Sequence, residues 1–357
     1  QRRLSRVPSI ERPALELAAV AGRQLDLALL ARLCPEPETF LTRCAEAGVL
    51  EVHEERWRFT HDKLREALLG ELAPAETQRL HQRVATAIEQ VYGEAGLQAA
   101  ALAYHFDLAG VPARALYYGI RAGEHALRRG ALVEAAQILQ HATELLLRVT
   151  VSREQAAHTH RLLAQSLAGL GRTAACAREC QLGLQALGRA LPPPTLGLVA
   201  GIVGQLAGQV RRLLRPPGRP LRPPADPGAR REEAELLALV CEASFYSLEQ
   251  LQLVYCLLGS TNAADDVGAV ERQVFGYSGL ALLLSMTPLR RGAAAYFARA
   301  ETLLRRGAQP EPRAELELHR VRALTYVGAG ELRAALHESE LAIAGAARLR
   351  DDPLRMF

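Results

Sequence analysis

The chain has 357 residues, 49% of them apolar and only 5% aromatic, with one tryptophan, Trp57. That length suits two or three domains, and the core must come mainly from Leu, Ala and Val, which favours close helix packing over a β-sandwich. Six cysteines are too few for a disulfide scaffold and point to a reducing, cytoplasmic setting, and no apolar run is long enough for a membrane span. A sequence that begins at Gln1 with no signal peptide is expected to be a piece of something longer. The net charge is +4, but it is uneven. Seven arginines and one acid, Asp226, lie between Leu191 and Glu232, which gives that stretch +6 and leaves the rest acidic.

In chain order, residues 10–73 read as a small mixed module. Ala14–Ala21 is a short apolar helix, Asp26 caps a second over Leu27–Leu33, and Pro37 opens a third that Gly48 ends. The period then changes. Val49–Val52 and Arg56–Phe59 are β-rich and joined by the polar His53-Glu54-Glu55, after which Asp62–Leu72 returns to helix. Three helices, a hairpin and a closing helix make the pattern of a winged-helix module.

From Pro74 the apolar residues recur at three- and four-residue spacings, with Gly or Pro at the breaks, which predicts helical repeats over 74–190. Residues 191–231 form a Pro/Arg-rich linker holding nine of the nineteen prolines. Its Arg215–Gly228 portion is expected to be extended and mobile, and Leu196–Leu214 to be helical. Helices resume over 232–350, the second half of the repeats.

A small-residue signature recurs at offsets 0, +3, +12, +16 and +19. One copy is Gly123, Ala126, Ala135, Leu139 and Ala142; the next begins 41 residues on, with Ala164, Leu167, Cys176, Cys180 and Gly183. Beyond the linker come Ala281, Leu284, Ala293, Phe297 and Ala300, then, 42 residues on, Ala323, Tyr326, Ala335, Ser339 and Ala342. A poorer copy, Ala238, Cys241, Gln250, Val254 and Leu257, is broken by Gln250. The first two offsets share one face of a first helix and the last three one face of a second, so short side chains there let paired helices approach closely. The signature resembles the tetratricopeptide repeat, with a period longer than the ~34 residues usual for it. The fold class expected is all-α: a tetratricopeptide-like solenoid behind a winged-helix module with one short β-hairpin.

The search for catalytic chemistry is negative. There is no G-x-x-x-x-G-K-[ST], and the sole lysine, Lys63, follows Thr60-His61-Asp62 and not a Gly-rich loop. Cys176 and Cys180 share a helical face but occupy repeat-contact positions, so they read as small core thiols. His158 and His160 are two apart and point to different sides. No nucleophile elbow is present. The chain is therefore expected to be non-enzymatic and to hold no metal or cofactor.

Trp57–Ala67 carries the strongest motif, joining the second strand to a helix that Thr60 or Asp62 can cap, with His61 at its N-terminus. Together with Pro74-Ala75-Glu76, Arg79–Ala85, Leu102–Phe106, Ala109-Gly110 and Arg121–Glu124, it resembles the post-ATPase region of bacterial STAND-type signalling ATPases. The resemblance implies a P-loop ATPase domain upstream in cis, holding ATP or ADP, a winged helix, and a repeat array that senses a protein or small effector. It also implies a nucleotide-switch role for His61 first and Asp62 second, at the phosphates of ADP in the closed state. Relatives carry protein kinase, nucleotide cyclase or DNA-binding output domains. A kinase or cyclase regulator, a transcriptional activator with its DNA-binding domain elsewhere, and a plain scaffold are the other readings.

Two surfaces complete the reading. The candidate DNA-recognition helix, Pro37–Ala47, carries Glu38 and Glu46 against Arg43, so no nucleic acid is expected as a partner. Leu196–Leu214 followed by arginines has the look of an interfacial anchor, but it lacks an aromatic residue. It reads better as a helix packed on the solenoid ahead of a solvated linker.

Overall fold

The computed structural model describes residues 3–93, 96–215, 223–306 and 312–351. The fold is all-α, built of tetratricopeptide-like helical repeats with one small three-stranded sheet. Its residues gather into two compact units, 1–125 with 137–150, and 126–136 with 151–357.

The first unit starts with α1 (Arg12–Ala21), β1 (Gln24–Leu25), α2 (Leu27–Leu33) and α3 (Pro37–Glu46). It continues through β2 (Leu50–His53), β3 (Arg56–Phe59) and α4 (Asp62–Glu71). The Asp26 carboxylate accepts the Leu29 amide at 3.0 Å, so the predicted cap of α2 is made. β2 and β3 pair antiparallel with Leu50 opposite Phe59 and His53 opposite Arg56. Glu54 and Glu55 both have positive φ, the conformation that a two-residue hairpin turn requires. β1, which the sequence pattern did not show, pairs with β3 on its other side. Phe40, Val49, Leu50, Phe59 and Leu68 fill the core beneath the sheet.

The α4 cap is a correction. Its N-cap is His61, which makes no side-chain cap. The Thr60 hydroxyl instead donates to the Gly48 and Val49 carbonyls, tying β3 to the end of α3. Asp62 pairs with Arg23 at 3.1 Å. Then come α5 (Pro74–Tyr92), a 3-10 turn at Gly96–Gln98, α6 (Ala99–Leu108), α7 (Pro112–Arg128) and α8 (Leu132–Leu145). Within this unit α5 packs on α1, α2 and α6.

The second unit is a stack of helix pairs. α9 (Arg153–Gly169) pairs with α10 (Thr173–Ala186), and α12 (Pro227–Ser247) with α13 (Gln250–Val267). Next, α14 (Val270–Ser285) pairs with α15 (Arg290–Arg306), and α16 (Pro312–Gly328) with α17 (Leu332–Asp351). α9 lies on α12, α13 on α14, and α14 on α16. Between the first two pairs, α11 (Leu196–Leu213) packs on α13. α13 is consequently buried all round from Cys256 to Asp265, polar residues included.

Part of the stretch expected to be extended, 216–222, lies outside the described residues. At its end the expectation fails: α12 begins at Pro227, not near Glu232. Pro227 stands in the first turn, where its missing amide costs nothing, and Asp226 accepts the Ala229 amide at 2.9 Å.

Candidate functional site

Every repeat-signature residue lies on a helix of this array, and burial grades along it. In the first unit Gly123 faces Leu139 so closely that a Cβ built there would stand 2.5 Å from Leu139 Cδ2 and Cγ. Leu139 and Ala142 of the same copy are buried, as are Ala126 and Ala135, which belong to the second unit. In the second unit Ala164, Cys176, Cys180, Ala281, Ala293, Ala300, Ala323 and Ala335 are buried, whereas Ala342, near the last helix end, is half-buried. Gln250, which breaks the poorer copy, is exposed. The Cys176–Cys180 hydrogen bond, and burial after it, push the Cys180 thiol well up, so it is a core group and not a nucleophile. His158 and His160 do point to different sides: His158 meets Glu232 on α12 at 3.0 Å and His160 meets Glu179 on α10 at 2.8 Å. Among the described residues no group of three or more His, Cys, Asp or Glu could hold a metal ion.

His61 and Asp62, the nucleotide-switch candidates, stand exposed at the start of α4. They share one helix terminus, and Asp62 is already engaged by Arg23. On α3, Arg43 is held by Glu11 at 2.6 Å, so the one basic residue of that helix is spent within the fold.

Three features escaped the sequence reading. The first is a polar centre where α11, α13, α14 and α15 meet. Asn262 accepts Gln209 at 2.8 Å and Arg212 at 2.9 Å on Oδ1, and donates to Gln205. Asp265 Oδ1 accepts Tyr277 at 2.6 Å and Gln273 at 2.9 Å, while its Oδ2 lies 3.5 Å from Arg212 Nε. Asp266 binds both Arg212 and Arg230. Arg299 donates to the Arg212 carbonyl in the last turn of α11 and to the Arg215 carbonyl just beyond the helix. Burial raises the Asp265 carboxyl, against the lowering pull of Tyr277, Gln273 and Arg212. Among the described residues, Arg212 Nε, Asp265 Oδ2, Gln273 Oε1 and Arg299 Nε have no hydrogen-bond partner. The cluster sets amides and paired charges between the helices and so holds them in register. Its sequence signal was Asn262, Asp265 and Asp266 inside an otherwise apolar helix.

The second is a histidine pair in the first unit. His81 Nδ1 and His105 Nδ1 are 2.9 Å apart and buried, with Tyr104 edge-on to both rings. Only one of the two nitrogens can carry the shared proton. Burial, then His81, then Arg65 push His105 down to about 4. His105 also lines a cavity of about 160 Å³ with Asp26, Tyr92 and Gln98.

The third is an open groove of about 490 Å³ between the end of α14, α15 and α16. Leu282, Met286, Ala294, Phe297, Ala298 and Tyr326 supply its apolar walls. Arg322 lies over the Phe297 ring at 5.2 Å and pairs with Glu301, putting a charged edge beside the apolar floor.

No family model matches the chain. An uncharacterised protein of Rhizobium meliloti (strain 1021) is 34% identical over 149 residues, which is 38% of this chain and 14% of that protein. Among solved structures, a STAND protein with a tetratricopeptide repeat sensor from Pyrococcus horikoshii aligns with a TM-score of 0.44 and 13% identity. That alignment covers 98% of this chain and 52% of the other. The apo form of RapI aligns with a TM-score of 0.43 and 9% identity, over 91% of this chain and 75% of RapI. The chain thus spans about one seventh of the curated relative it matches. Among the described residues no helix is long and apolar enough to cross a membrane.

Proposed function

We propose that this chain is the non-catalytic sensor region of a multidomain signalling ATPase, and that a protein partner enters the groove between α14, α15 and α16. The groove is the observation that carries this reading. It is a concave, mostly apolar recess with one charged edge, the form in which repeat arrays hold extended or helical segments. The front module would act as the winged helix that passes the occupancy of the array to an upstream nucleotide domain. His61 and Asp62, exposed at the head of α4, would meet the phosphates of ADP there. Their support is the Trp57–Ala67 motif and its position at a helix N-terminus, where backbone amides favour anions. Partner binding shifts the switch only by its differential affinity for the two states.

The test uses the longer protein that contains this chain, purified with its bound nucleotide. His61→Ala is expected to lower retained ADP and to raise output without the partner. Ala298→Arg, at an exposed groove position, is expected to leave ADP retention intact and to abolish the response to partner. Unchanged ADP retention and output in His61→Ala would remove the switch, and a normal partner response in Ala298→Arg would remove the groove.

A further inference from the structure

α11 is an amphipathic helix mounted with its apolar side outward. The residues facing α13 are Gly201, Gln205, Gly208, Gln209 and Arg212, with Leu198 at one end. A Cβ at Gly201 would stand 2.7 Å from the Tyr255 ring, and one at Gly208 3.3 Å from the Asn262 amide. The helix is thus held by glycine contacts and by the polar centre. Its other side carries Leu196, Val199, Val203, Leu206, Val210 and Leu213, which fall within an arc of about 100° at 100° per residue. Leu196 is 83% exposed, Val203 62% and Val210 57%. This is the reverse of the arrangement that buries an amphipathic helix on a core.

Charge selects what covers the stripe. No acidic residue stands between Glu179 and Asp226, while Arg211 lies exposed at the C-terminal end of the helix, and Arg215, Arg219 and Arg222 follow in sequence. A second copy of this stripe would bring no carboxylate from its own stretch to meet those arginines. A bilayer rich in anionic headgroups meets both features at once, with acyl chains for the stripe and phosphates for the arginines. We propose that α11 is an interfacial helix that lays the repeat array on an anionic membrane surface. The helix is about 27 Å long, and it lies in the interface plane without spanning it. It has no Trp or Tyr to anchor it at the headgroup level, so the arginines must supply what aromatic residues otherwise would. Binding therefore requires anionic lipid and weakens as salt rises.

The experiment is co-sedimentation of the full chain with vesicles. One set contains equal parts phosphatidylglycerol and phosphatidylcholine, and the other pure phosphatidylcholine. Binding is expected on the first set and not on the second. Val203→Glu with Val210→Glu, both at exposed positions, should keep the far-UV circular dichroism of the parent and lose roughly tenfold or more in partition. Arg211→Gln should lose about fivefold, as one basic residue near an anionic surface implies. Equal binding to both vesicle types, or binding to neither, overturns the proposal. So does a chain that dimerises without lipid, becomes monomeric in the Val203→Glu, Val210→Glu variant, and ignores both vesicle types. That outcome would assign the stripe to a second copy.

Discussion

The close approach of Gly123 to Leu139 gives the sharpest test of the small-residue seam. Gly123→Ala places a methyl 2.5 Å from two carbons of Leu139 and 3.0 Å from a third. Carbon atoms pack best at about 3.5–4.0 Å, so the overlap is about 1 Å. Leu139 is fully buried, and its Cγ is itself among the overlapped atoms, so turning the outer side chain does not relieve the clash. Either the helices separate or Leu139 leaves its rotamer, and overpacking of this kind costs about 1–3 kcal/mol. Alanine recovers about 1 kcal/mol of helix propensity over glycine. The net expectation is a loss of up to about 2 kcal/mol.

The sign should reverse when Leu139 is shortened. Leu139→Ala alone opens a cavity and costs about 2–5 kcal/mol. In that background Gly123→Ala meets no clash, keeps its propensity gain and fills part of the hole, so it stabilises by about 1 kcal/mol. The coupling between the two sites is then about 1–3 kcal/mol, within the range measured for residues in contact. Urea unfolding followed by the fluorescence of Trp57, which packs beside the core of the same unit, reads all four corners of the cycle. A Gly123→Ala that stabilises the parent and the Leu139→Ala variant equally would refute the idea that close approach is why a small residue stands there.

Three further outcomes follow from the buried polar groups. Because His105 is neutral in the fold and ordinary when unfolded, the unfolded chain takes up its proton first. Stability of the first unit should be flat above pH ~6.5 and fall by about 3 kcal/mol as pH drops toward ~4, and His105→Leu should flatten the slope of the Trp57 transition. Tyr277→Phe removes the shorter of two donors to a buried carboxylate and should cost about 1.5–3 kcal/mol in urea unfolding read by circular dichroism; a loss under about 0.5 kcal/mol would deny the polar centre its role. Gly204→Ala, where a Cβ meets nothing within 4 Å, should stabilise α11 by roughly 0.5–1 kcal/mol, and a destabilised variant would mean that this face of the helix is covered.

The helices were legible because their apolar period and their Gly and Pro breaks are strong local signals. Asp26 capped α2 as read, and α7, α15 and α16 have the bounds that the spacing gives. β1 was not legible, since two residues carry no period and pair only because β3 lies beside them. The start of α12 is not legible from proline content alone, because a proline that breaks a helix interior is tolerated in the first turn that Asp226 caps. The groove and the histidine pair were hidden for another reason: each is assembled from separate helices, and although His81 and His105 both lie in motif segments, nothing local shows that the two rings meet.

The outward stripe of α11 has the same origin as the polar centre. A helical period shows that two faces differ, but not which one goes inward. Burial normally decides for the apolar face, because water-to-core transfer of each Val or Leu is favourable by about 1.5–3 kcal/mol. α13 reverses that choice. It buries Asn262 and Asp265, and a carboxylate taken out of water without partners costs far more than an exposed valine. Only a helix that presents amides and a guanidinium can answer them, and α11 does so with Gln205, Gln209 and Arg212, the last also binding Asp266. Gly201 and Gly208 let it come close enough. Once those residues face α13, the valines and leucines on the opposite side of the helix have nowhere to point but outward. The exposed face of α11 is thus the consequence of satisfying a buried polar helix, and an apolar surface outside the chain is what would then cover it.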